Sequence, residues 1–127
     1  MAVTATPIFA QATRHAAVAI STANTNRDGT GTIATVLTAG SNGSLIERID
    51  ITAIGTTTAG VVRLFIHNGS TYFLWKEILV GAITPSATVA AFMRTVREKM
   101  FLPSGWSVRA ATHNAESFNV HAFGSDL

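Results

Sequence analysis

The chain has 127 residues, a mass of 13.4 kDa and no cysteine: enough for one core-forming domain, too short for two, and without disulfide or thiolate chemistry. Hydrophobic residues make up 47% of it, yet they are scattered among Thr, Ser, Asn and Gly and never approach the run of about 20 that a membrane helix needs. Charged residues amount to 13%, against roughly 25% in an ordinary domain, and the net charge of +2 is spread thinly. Only Arg94, Arg97 and Lys99 cluster, with Glu98 among them, which falls short of a nucleic-acid-binding stripe. Permanent interfaces are depleted in charge, so the composition points to a homo-oligomer or lattice component with neither nucleic acid nor membrane as partner.

Residues 1–11 read as an extended N-terminal arm, apolar enough at Val3, Ile8 and Phe9 to dock on a neighbour, and without the basic and apolar regions of a secretion signal. The remainder, 12–127, reads as a single domain. Short runs of β-branched and aromatic residues separated by Gly, Asn, Ser and Pro predict strands throughout. The first covers residues 13–20, and residues 21–31 form a polar loop by their turn chemistry. A second strand spans 32–38, and Gly40 to Ser44 allow the chain to reverse. In the third, residues 45–54, the odd positions Leu45, Ile49, Ile51 and Ala53 are expected to share the buried face, with Glu47 interrupting it.

Residues 61–67 and 71–79 flank His67-Asn68-Gly69-Ser70, and Asn-Gly between alternating apolar runs is the strongest local hairpin signal. Val62, Leu64 and Ile66 are expected to fill one face of the first arm, and Phe73, Trp75 and Leu79 that of the second. Residues 87–100 contain several helix formers, but the alternation of Val89, Ala91 and Met93 favours a strand, with room for a helical turn over 96–99. Leu102-Pro103-Ser104-Gly105-Trp106 is a turn, and residues 107–112 and 117–123 are the last strands, joined by a tight connection at 113–116. Seven or eight short strands at this spacing predict an all-β fold, an antiparallel β-sandwich or jelly roll.

Catalytic patterns are missing. His15, His67, His113 and His121 have no ligand spacing, which argues for surface or interface histidines and against a metal site. The acids are mostly isolated on separate strands and turns, no Gly-x-Ser-x-Gly elbow occurs, and Asp28-Gly29-Thr30-Gly31-Thr32 lacks the Lys-Ser/Thr ending of a phosphate loop. The chain is therefore read as no enzyme, with no cofactor. Phe73 and Trp75 are expected in the core, whereas Tyr72 and Trp106 are candidates for an interface or a sugar-stacking platform. Arg94 and Arg97 complete the candidate contact residues, as a solvated or subunit-contacting face.

Leu37 to Ser44, Val62 to Tyr72, Leu102 to Trp106 and Thr112 to Val120 together resemble small virion structural proteins of tailed bacteriophages and prophages, over roughly residues 33–124. The resemblance implies a capsid cement or decoration protein: a small β-rich homo-oligomer, typically a trimer. Made in the bacterial host cytoplasm, it would bind the major capsid protein on the capsid surface. A tail or baseplate protein, or a carbohydrate-binding module, are the alternatives that share this composition and fold.

Overall fold

The computed structural model describes residues 10–127; Val3, Ile8, Phe9 and the rest of residues 1–9 lie outside the described residues. Nine strands follow in chain order: β1 (Ala12–Ile20), β2 (Ala34–Thr38), β3 (Ser44–Ala53), β4 (Gly60–His67), β5 (Tyr72–Val80), β6 (Met93–Val96), β7 (Met100–Leu102), β8 (Ser107–Thr112) and β9 (Phe118–Asp126). No helix occurs among the described residues. Of the segment predicted as one strand over 87–100, residues 87–92, with Val89 and Ala91, form no strand, and the rest is divided into β6 and, after a linker at 97–99, β7. The helical turn allowed there does not form.

The strands make two antiparallel sheets. One has the order β1-β9-β3-β6, with β7 also pairing β3, and the other the order β2-β8-β4-β5. With β6 and β7 counted as one interrupted strand alongside β3, the order becomes 1-8-3-6 facing 2-7-4-5, the double Greek key of a jelly roll. The two inner faces supply the core. Ile46, Ile49, Ile51, Val120 and Ala122 come from the first sheet and Val62, Leu64, Val108 and Ala110 from the second, all essentially inaccessible to solvent. The Asn-Gly hairpin forms as predicted, with Gly69 at φ +103° and Asn68 Oδ1 accepting from the Ser70 and Thr71 amides.

Bulges change which residues face inward. In β3 the register against β9 shifts between Ile46 and Arg48, so Ser44 and Ile46 face the core before the bulge and Ile49, Ile51 and Ala53 after it. Leu45 therefore turns away from the core, contrary to the alternation, and Glu47 is the exposed extra residue. In β5 the shift falls opposite Leu64 and Phe65, leaving Trp75 between Leu74 and Lys76. Ile78 and Val80 are buried, while Leu79 is 75% exposed and Phe73 49%, which corrects the expectation that both fill the core. Trp75 still packs against it. A third bulge in β2 buries Val36 and Leu37 together.

At one point two backbones approach closely. A Cβ on Gly124 would lie 1.9 Å from the Leu45 carbonyl oxygen, so β9 can pass the β3 bulge only with no side chain there.

Candidate interaction surfaces

The loop between β1 and β2, residues 21–33, covers the outer face of the β2-β8-β4-β5 sheet. The Asn24 amide donates to the Thr112 carbonyl (2.8 Å), its side chain donates to the Thr30 and Thr32 carbonyls, and Gly29 sits against Tyr72. Beneath this loop Arg63 is 1% exposed. Its Nε donates to Glu77 Oε2 (3.0 Å), its Nη1 to the Asn24 carbonyl (3.2 Å) and its Nη2 to His113 Nδ1 (3.2 Å). Arg27, on the loop, donates to the same Glu77 oxygen (2.8 Å). The hydrogen bond from Arg27, and then that from Arg63, hold the Glu77 carboxyl below its ordinary value despite partial desolvation. A cleft of about 300 Å³ opens here, lined by Arg27, Arg63, Glu77, His113 and Asn114 on its polar side and by Val61 and Leu79 on its apolar side.

A second polar cluster lies on the outer face of the other sheet. Antiparallel pairing of β1 with β9 brings His15 Nε2 to 2.8 Å from His121 Nδ1. Phe123 stacks on His15 (centroids 4.3 Å apart), with the Arg48 guanidinium 4.1 Å from the Phe123 centroid. No group of three or more His, Cys, Asp or Glu side chains that could hold a metal occurs among the described residues.

The third region is the open side of the sandwich, where β5 faces β6 and β7. The seven large hydrophobic side chains that stand exposed among the described residues are Ile54, Phe73, Leu74, Leu79, Val89, Met93 and Phe101. Phe73, Leu74 and Leu79 are on β5, Met93 on β6 and Phe101 on β7, all edge strands, whereas Val89 precedes β6 and Ile54 follows β3. On the opposite side β1 packs against β2. Lys76 of β5 and Glu98 of the β6–β7 linker form an ion pair (2.6 Å) that spans the open side. Arg94, Arg97 and Lys99 are exposed and have no acidic partner among the described residues.

The predicted contact residues are thus distributed, not gathered. Arg94 and Arg97 stand on the open side. Tyr72 is half-buried on the covered face: its hydroxyl accepts from Arg109 (2.9 Å), its ring meets the Phe65 edge, and Gly29 lies against it. Trp106 closes the Pro103 turn and packs against the core. The sequence reading missed Arg63, although a charge inside Val-Val-Arg-Leu-Phe-Ile was a visible signal, because long charged residues are almost never fully buried unless paired.

No family model matches this chain, and no curated protein matches it. Among the solved structures similar to this chain is one that matches over nearly all of both chains. It is a chain of the cyanophage Pam1 capsid asymmetric unit, 18% identical, with a TM-score of 0.46, covering 99% of this chain and 94% of that one.

Proposed function

We propose that this chain is a non-enzymatic structural protein of a tailed-phage virion, a cement or decoration protein that binds the major capsid lattice through the β5/β6/β7 side. The observation that carries the reading is the concentration of exposed apolar side chains on the edge strands β5, β6 and β7, beside three cations, Arg94, Arg97 and Lys99, that have no acidic partner among the described residues. An apolar and basic sandwich edge suits a partner surface that is apolar and acidic. The scarcity of charge and the sequence resemblance both support a protein that works by repeated contact, as a homo-oligomer, a trimer around the capsid symmetry axes, in which modest interfaces add through avidity. Val3, Ile8 and Phe9 of the arm would add apolar contacts to a neighbour.

The reading is tested on particles with and without the protein. Immunogold labelling on heads, together with genome release at lower temperature from particles lacking it, is the expected result. Labelling confined to tails, or equal heat resistance of the two particle types, overturns it.

A further inference from the structure

We infer that the cleft beside Arg63 is a receptor for one carboxylate carried on an aliphatic stem, the side chain of a glutamate from a partner chain. Two guanidiniums, Arg27 and Arg63, face one carboxylate, Glu77, and Glu77 is the only acid among the described residues that lines the cleft. Asp28 beside Arg27 is turned to its own loop, accepting from the Thr30 amide and hydroxyl. One positive charge is therefore left over. It matches a monoanion, whereas a phosphate dianion would add repulsion from Glu77.

Hydrogen-bonding capacity agrees with the charge. Arg27, 66% exposed, is bound only through its Nε among the described residues, which leaves the four N–H donors of its two Nη groups for a ligand, whereas the buried Arg63 is bound at all three nitrogens and contributes its charge. Because a guanidinium only donates, His113 Nδ1 must be the acceptor in their contact, which leaves its Nε2–H as a donor at the cleft. Val61 and Leu79, the latter 75% exposed, form the apolar wall along which the methylenes of a stem would lie. The guanidinium within the wall is already ordered by Asn24 and Glu77, so little side-chain entropy is lost on binding.

The chemistry of the cleft stands without the virion reading; the assignment of its occupant to a capsid protein's glutamate rests on that reading. The test is a nitrogen-15 NMR titration of the full chain with N-acetyl-L-glutamate methylamide, against the glutamine analogue and inorganic phosphate. Saturable shifts of Arg63 Nε, the His113 ring and the Gly60 amide with the glutamate compound alone are expected. Arg27→Gln, at an exposed residue, should weaken binding roughly tenfold, the scale of one charge-assisted hydrogen bond. No shifts, equal shifts with the glutamine compound, or tighter binding of phosphate would each overturn the inference. If heads bind the protein while the probe does not, the cleft alone fails; if the probe saturates and heads do not bind, the virion reading alone fails.

Discussion

Arg63 shows how a single residue ties local structure together, since its guanidinium joins β4 to Glu77 on β5, to the β1–β2 loop and to His113 after β8. Arg63→Ala leaves a cavity and strands the Asn24 carbonyl, and is expected to cost about 3 kcal/mol in urea unfolding. Gly124→Ala is expected to cost about 2–3 kcal/mol for a different reason: the clash is with the Leu45 backbone, which has no rotamer to change. Titration at this scale has a definite sign. Asp126 accepts from the Ser44 hydroxyl and from Arg14, in that order of effect, and its pKa lies below the ordinary 3.8, as that of Glu77 lies below 4.5. Stability from these carboxylates is fully present above their ordinary values and is lost as pH falls through the lowered ones. His67, depressed below 6.5 by desolvation and then by Arg109, acts in the same direction, because the unfolded chain takes up its proton first. Thermal unfolding should therefore show a midpoint that declines as pH falls below about 6.5 and drops more steeply below about 4, with Asp126→Asn flattening the acid limb.

At the level of elements, the bulges decide which side chains meet solvent. Glu47 and Trp75 each insert one residue, and each reverses the inward parity of the strand that follows. The bulge in β5 also distorts the outer edge of its sheet, and Lys76, turned inward opposite Leu64, adds a charge next to it; both devices discourage addition of a foreign strand. The open side is therefore suited to side-chain contact more than to strand exchange. Met93 and Phe101 project from the short strands β6 and β7 and are 64% and 69% exposed. The pair Met93→Ser with Phe101→Ser is expected to change stability by no more than about 0.5 kcal/mol, yet to abolish co-sedimentation of the protein with heads. A fall in melting temperature equal to that of Gly124→Ala would show instead that these side chains support the fold.

For the molecule as a whole, the jelly roll places β1 against β2 at one edge and leaves β5, β6 and β7, which carry exposed apolar side chains and Arg94, at the other. A contact made there should depend on salt, since Arg94, Arg97 and Lys99 are held by no internal acid among the described residues. Association with heads is expected to weaken as ionic strength rises. Arg94→Glu with Arg97→Glu should lower the association rate by roughly tenfold or more while the melting temperature stays unchanged. Binding that is indifferent to both salt and charge reversal would place the contact elsewhere.

Composition and local pattern were enough to determine an all-β domain, the Asn-Gly hairpin, the turn at Pro103 and the positions of most strands, because turn chemistry and period-two alternation act over a few residues. Arg94 and Arg97 were legible as exposed for the same reason. The tertiary structure alone decided the strand order, the facing of Leu45, Phe73 and Leu79, and the burial of Arg63. A bulge is an extra residue whose effect depends on the partner strand, and the acceptors that make a buried guanidinium tolerable lie 14 to 50 residues away in sequence. No local pattern carries that information; it exists only once β4, β5, β8 and the covering loop have come together.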